Sequence, residues 1–323
     1  MQIMRQSLDE TDRRIAAVLL ASPRAGWREI SSCLGLSERT VVRRAAPLYA
    51  DGTLRATVVR NPMHFPGLIP LALRIRCRPN KIRTVAAALA RRPDTVWVDI
   101  LGGGDEISAV FFLDGPDARN ALLLRDLPAT EAVNAWTAHT LLRVFPTAFR
   151  WTAGLLTPEE TARLTSRPPI ATATGVTSHP ADAALITALT EDGRATYTDL
   201  ARRADTTALT ARRRLEALVR GQVLRLATEV DLALLGAQAE ALLWLSVQPG
   251  ALDRTAQALS VHPQVRFTAA TTGPANLLIA VAATDLDALY AFLVTTVGPV
   301  DGITTVETTP LLATVKRTGL TRL

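Results

Sequence analysis

Two short arginine-rich runs, one in each half of the chain, are the residues best suited to chemistry with a partner. Ser37, Arg39, Thr40, Arg43 and Arg44 form the first; Thr207, Thr210, Arg212, Arg213 and Arg214 form the second. A guanidinium is planar and forked, so it grips a phosphate, or the O6 and N7 edge of guanine, through two parallel bonds. The four hydroxyls add donors of the kind that phosphate oxygens accept. Arginine on a single exposed helix is as readily a solvated face as a binding face. The same set occurring twice favours a binding face.

Other chemistry-bearing residues point nowhere comparable. Gly102-Gly103-Gly104 leads into a strand pattern, whereas a dinucleotide fingerprint needs a helix after its glycines, so a hairpin turn is expected. His64, His139, His179 and His262 form no cluster, and the expectation is no enzyme, no cofactor and no metal. Cys33 and Cys77 lie in separate apolar patterns, which argues against a disulfide and for a reducing, cytoplasmic setting. The sequence shows no signal-like leader. No stretch approaches the ~18–20 apolar residues of a membrane span, so no membrane partner is expected.

Both arginine runs belong to a larger repetition. A shift of 170 residues lays Asp12 on Asp182, Arg24-Ala25 on Arg194-Ala195, Thr40 on Thr210, and Arg43-Arg44 on Arg213-Arg214. The register continues through Pro79 on Pro249, Gly103 on Gly273, and Leu141-Leu142 on Leu311-Leu312. The chain of 323 residues thus reads as a two-domain module present twice. Its formal net charge of +6 is uneven. Residues 1–150 hold 21 Arg and Lys against 14 Asp and Glu, and residues 179–323 hold 13 against 14. A basic excess favours a polyanionic partner, chiefly for the first copy.

The elements that must position the arginines follow from spacing and caps. Asp9 caps a helix carrying Ile15, Val18 and Leu19. A second carries Ile30 and Leu34 and closes at Gly35, and Ser37 caps a third over 38–50 with Val41, Ala45 and Leu48 inward. Pro47 removes one backbone donor late in that helix. In the second copy Thr196 and Thr207 cap the corresponding helices, and Ala211, Leu215 and Leu218 point inward. A β-leaning run, 54–59, follows the first set. Three capped helices with tight turns make a winged-type helix-turn-helix whose last helix fits a major groove.

From residue 68 the pattern becomes strand, helix, strand, strand, helix, strand, the ferredoxin-like βαββαβ order, and it recurs from 241. The expected division is therefore helix-turn-helix 1–60, αβ domain 67–150, helix and flexible linker 151–178, helix-turn-helix 179–231 and αβ domain 236–323. The overall class is α+β. Thr157-Pro158-Glu159-Glu160 should open the helix in the join, and 166–178 should be the flexible stretch.

Leu8-Asp9-Glu10, Asp12-Arg13-Arg14-Ile15, Leu34-Gly35-Leu36-Ser37 and the βαββαβ order resemble the Lrp/AsnC (feast/famine) transcriptional regulators. So do Val306-Glu307-Thr308-Thr309-Pro310 and Thr314-Val315-Lys316-Arg317. The resemblance covers each copy nearly end to end. It implies a sequence-specific regulator of double-stranded DNA whose αβ domains pair, assemble further into homo-oligomers, and take an amino-acid effector at interfaces. The family's glycine-plus-acid turn falls on Gly103 and Glu106 and on Gly273 and Asn276, with Thr308 in the closing strand. The second turn departs from the pattern, having Pro274 where Asp is usual and a neutral Asn276. Ordinary members carry one module and dimerise. Two fused modules imply an intrachain pseudo-dimer whose unlike recognition helices suit a non-palindromic site. The alternative that the resemblance leaves is an enzyme of siroheme-decarboxylase type, since those enzymes are similar to this family.

Overall fold

The computed structural model describes residues 8–145, 151–164 and 177–322, so most of the expected flexible stretch lies outside the described residues. The chain forms two compact units. One comprises Met1–Arg60 and Phe149–Gln238, the other Asn61–Ala148 and Ala239–Leu323. Each unit thus draws on both copies.

The first unit holds two three-helix heads. In the first head, α1 (Glu10–Ala21), α2 (Trp27–Leu34) and α3 (Glu38–Ala50) are followed by β1 (Arg55–Arg60). Asp9 and Ser37 accept from the amides of Asp12 and Thr40, and Gly35 closes α2 at φ +66°. Ile15, Leu19, Ile30, Val41 and Ala45 are fully buried. Pro47 sits inside α3, which nevertheless runs on to Ala50. A short helix, α6 (Pro158–Leu164), opens on the expected capping box and lies against α2.

The second head is α7 (Asp182–Glu191), α8 (Tyr197–Arg203) and α9 (Ala208–Arg220), followed by β6 (Leu224–Glu229). Thr196 and Thr207 are its caps, and Asp205 takes the left-handed position at φ +46°. Each head supplies only one strand, too few for a β-ribbon of its own. β1 and β6 pair with each other, antiparallel, with Thr57 directly opposite its repeat mate Ala227. β1 lies against α7 and β6 against α1, so each strand covers the first helix of the other head.

The second unit holds the two αβ domains. The first is β2 (Leu68–Cys77), α4 (Ile82–Arg91), β3 (Thr95–Leu101), β4 (Glu106–Asp114), α5 (Gly115–Ala121) and β5 (Val133–Val144). The second is β7 (Ala239–Val247), α10 (Leu252–Ser260), β8 (Val265–Thr271), β9 (Leu277–Ala283), α11 (Leu286–Phe292) and β10 (Ile303–Arg317), with a short β11 (Leu320–Thr321). A π turn extends each of α5 and α11.

Strand order is β11-β10-β3-β4-β2-β5-β8-β9-β7, and β7 pairs with β10 as well, which closes eight strands into a ring. The closing strands divide their pairing between copies. β10 runs along β7 from Ile303 to Pro310 and then crosses to β3 from Leu311. β5 runs along β2 and then crosses to β8 from Leu141. Leu141 and Leu311 are repeat mates, so both copies change partner at the same residue. Each copy buries its helices on an apolar cluster, centred on Leu73, Ile75, Ile107 and Phe111 in one and on Leu243, Leu245, Ile279 and Val281 in the other.

Candidate nucleic-acid interface and effector turns

The third helix of each head carries the arginines, and the structure sorts them into two kinds. Arg44 bonds Asp9 at 2.5 Å and Asp12 at 3.1 Å on α1. Its mate Arg214 bonds Asp182 at 2.7 and 3.0 Å and the carbonyl of Thr177. These two are staples that fix the third helix on the first. Asp9 is held below the usual carboxylate range by the amide of Asp12 and then by Arg44, and Arg44 is raised by the same two acids. Arg212 bonds Glu216 one turn on, at 2.9 Å.

Arg39, Arg43 and Arg213 are exposed and enter no ion pair among the described residues. Of the candidate arginines in the two runs, these are the ones left available to a partner. Ser37 and Thr207 spend their hydroxyls on Thr40 and Thr210, through both the amide and the side chain, so these four residues build the helix ends. An exposed helix N-terminus with nearby arginines offers donors and positive potential together.

A feature that sequence reading passed over holds the heads together. Arg24 donates to the carbonyls of Gly193 at 2.7 Å and Ala195 at 2.9 Å and lies over the Tyr197 ring. Arg194 donates to the carbonyls of Pro23 at 2.8 Å and Ala25 at 3.2 Å and lies over the Trp27 ring. Every residue in one set is the 170-shifted mate of its counterpart. The signal was present as Arg-Ala with an aromatic residue two positions after the Ala, repeated at the offset.

Of the residues named for an effector, Gly103, Glu106, Gly273 and Asn276 fall at two turns of the ring, each against the closing strand of the other copy, and Thr308 lies on a closing strand itself. Gly102 donates from its amide to the carbonyl of Pro310, and Thr272 donates likewise to Thr140, again a pair of repeat mates. Gly103 is exposed beside the first turn, and Thr308 on β10 is half-buried. Glu106 is held by Arg74 at 2.6 and 2.9 Å, and Arg74 also bonds Glu307 at 2.7 and 2.8 Å. Glu307 is held low by that guanidinium, while Arg74 is raised by both carboxylates.

On the second turn Asn276 exchanges two bonds with the backbone of Val247, each at 2.8 Å. Gly273 lies at φ +105°, and the space a side chain would need is filled by the imidazole of His139. His139 is bonded through Nδ1 to the carbonyl of Thr272 and rests on Trp244. Glu106 and Asn276 are therefore committed to contacts within the chain.

The ring interior holds a charge cluster that sequence reading also missed. Arg317 bonds Glu240 at 2.7 Å, and Arg266 lies 3.2 Å from it. Burial works against the charge of Glu240, yet Arg317 and Arg266 hold its carboxyl below the usual range. Asp99, almost wholly buried, accepts from Thr314 at 2.7 Å, and burial raises its carboxyl. A cavity of about 20 Å³ lies among Trp97, Asp99, Ser108 and Arg266, room for water rather than for a ligand. The other histidines are separate: His64 is exposed, and His179 and His262 accept from nearby backbone amides. Among the described residues no group of His, Cys, Asp and Glu is placed to hold a metal ion, and no helix is long and apolar enough to cross a membrane.

Comparison with known proteins agrees with this architecture. The AsnC-type helix-turn-helix domain matches residues 8–48, and the Lrp/AsnC ligand binding domain matches residues 240–321. An uncharacterized HTH-type transcriptional regulator of Pyrococcus horikoshii is 29% identical over 142 residues, which are 44% of this chain and 89% of that protein. The HTH-type transcriptional regulator FL11 of Pyrococcus abyssi is 36% identical over 96 residues, 29% of this chain and 64% of that one. Among solved structures, the siroheme decarboxylase NirDL superimposes with a TM-score of 0.59 at 12% identity, covering 96% of this chain and 93% of that one. That likeness is one of fold. The chain thus carries an AsnC-type helix-turn-helix domain in its first head and an Lrp/AsnC ligand binding domain in its second αβ body.

Proposed function

We propose that the chain is a sequence-specific DNA-binding transcriptional regulator of Lrp/AsnC type whose two heads engage one site together. The observation that carries this reading is the exposure of Arg39, Arg43 and Arg213 on the N-terminal halves of α3 and α9. These helices are capped and stapled in the same way, and the heads are clasped by Arg24 and Arg194. Ser37, Thr40, Thr207 and Thr210 shape the helix ends that face phosphate, and Arg44, Arg212 and Arg214 add field more than direct contact. The names of the relatives, HTH-type transcriptional regulators, support the same reading.

In this reading the five-part division of the chain is functional: heads at 1–60 and 179–231, αβ domains at 67–150 and 236–323, and a join at 151–178. The αβ domains act as an intrachain pseudo-dimer, supported by the strands that change copy at Leu141 and Leu311. Whole chains associate further. A small-molecule effector, an amino acid by family likeness, acts through the turns at Gly103 and Gly273. The enzyme alternative is not favoured, because the resemblance to NirDL is one of fold and the histidines are dispersed.

The test is a genome-wide footprint of the tagged chain, repeated across a panel of amino acids. Discrete sites whose occupancy responds to one amino acid are expected. Tetrapyrrole binding with no discrete DNA site would overturn the reading in favour of the enzyme.

A further inference from the structure

We infer that the two heads read unlike half-sites, with Arg39 selecting guanine in one and Leu209 selecting thymine in the other. This rests on the DNA-binding reading above. Two helices can be compared side chain by side chain only if their backbones are presented alike, and here they are. α3 and α9 are both 13 residues long. Both begin at a hydroxyl cap bonded to the third helical amide at 3.1 Å. Both are pinned by the same arginine to the same aspartate of the first helix.

Against that common frame the outward faces differ at defined positions. Arg43 and Arg213 match. One turn earlier, Arg39 stands where the second head has Leu209, and Glu38 stands where it has Ala208. The extra arginine of the second head, Arg212, is bonded to Glu216, so its charge is offset within its own helix. Arg39 and Arg43, four residues apart on one exposed face, present two unopposed guanidinium groups. Leu209 and Arg213 present one.

Leu209 is 57% exposed, an isobutyl group left in water on a helix that otherwise buries its apolar side. Withdrawing it from water against another apolar group is favourable in proportion to the area buried. The apolar group a major groove offers is the thymine 5-methyl, while the groove edge that suits Arg39 is guanine O6 and N7. A chain with these two helices has its best site in a sequence whose halves are not inverted copies of each other.

Selection of duplexes from a randomised pool with the full chain tests this, using wild type, Leu209→Arg and Arg39→Leu. Both substitutions are on exposed positions, and unchanged thermal unfolding checks that the fold is intact. Wild type should recover a two-part site with guanine in one half and thymine at the matching position of the other. Leu209→Arg should convert the thymine half to guanine and weaken binding to the wild-type site about tenfold or more. Arg39→Leu should change the other half only. A palindromic wild-type site, or Leu209→Arg leaving the recovered sequence unchanged, would overturn the inference while the regulator reading stands. Recovery of no sequence at all would overturn both.

Discussion

The two heads are clasped by contacts that come in matched pairs, beside unmatched bonds such as Thr228 to the carbonyl of Leu19, whereas the side-chain contacts between the two αβ domains mostly lack mates. Arg24 with Tyr197 and Arg194 with Trp27 are one interaction made twice, and Thr57 sits opposite its own mate. In the ring the backbone exchange is matched, Gly102 to Pro310 and Thr272 to Thr140, but the side chains have diverged. Arg74 meets Glu307, yet its mate is Trp244. Arg143 meets Asp253, yet the mate of Asp253 is Arg83, so two first-copy domains paired this way would oppose Arg143 with Arg83. The lesson is a division of labour. The heads keep a symmetric clasp that presents two recognition helices alike. The ring carries one-sided charge contacts that favour joining a first αβ domain to a second.

The largest loss is expected from the buried charge cluster that only the second copy carries, the mates of Glu240 and Arg266 being Pro70 and Val96. Glu240→Gln removes the buried carboxylate that Arg317 and Arg266 share and should destabilise the chain by about 3–5 kcal/mol, read by urea unfolding. A loss under about 1 kcal/mol would show that the cluster does not hold the ring.

The matched clasp makes a complementary prediction. Arg24→Ala and Arg194→Ala each remove two charge-assisted bonds, with one ring contact for Arg24 (Tyr197) and two for Arg194 (Trp27 and Tyr49), and should each cost about 2 kcal/mol. Equal losses sharpen the symmetry, and a gap above about 1 kcal/mol would break it.

Glycines on the two turns should differ. Gly273→Ala puts a methyl at positive φ and 2.4 Å from His139 Nδ1, so about 1–3 kcal/mol should be lost. Gly103→Ala meets only the swinging carboxylate of Asp105 and should cost less. His139→Ala should return part of the first loss, which a double-mutant cycle would show.

The smallest effect is expected in acid. The carboxyl of Asp9 is depressed in the folded chain, so its stabilisation is complete above the unfolded value of about 4 and is lost as pH falls through the folded value. Asp9→Asn should therefore lower the unfolding temperature at pH 7 and do almost nothing at pH ~2. A substitution effect that persists in acid would contradict this.

Much of the fold was legible because it depends on local rules. Asp9, Ser37 and Thr207 announce helix starts, Gly35 an end, and Val41, Ala45 and Leu48 an inward face, all without distant partners. The strands were legible for the same reason. Their partners were not: β10 serving both β7 and β3, and β1 serving β6, are settled by register between segments up to some two hundred residues apart. The candidate site divides likewise. That Arg43 and Arg213 stand outward follows from helical spacing. That Arg44 and Arg214 turn back to Asp12 and Asp182 depends on how α1 crosses α3, though an acid 32 residues before the arginine in both copies was a usable sign.

The central claim, that paired recognition helices grip DNA through Arg43 and Arg213, is most directly tested by titrating a recovered operator with wild type and with Arg43→Ala/Arg213→Ala over a salt series. The account predicts weaker binding by the double variant and a shallower dependence of affinity on salt, by about two phosphate contacts. Operator affinity and salt slope unchanged from wild type would contradict it.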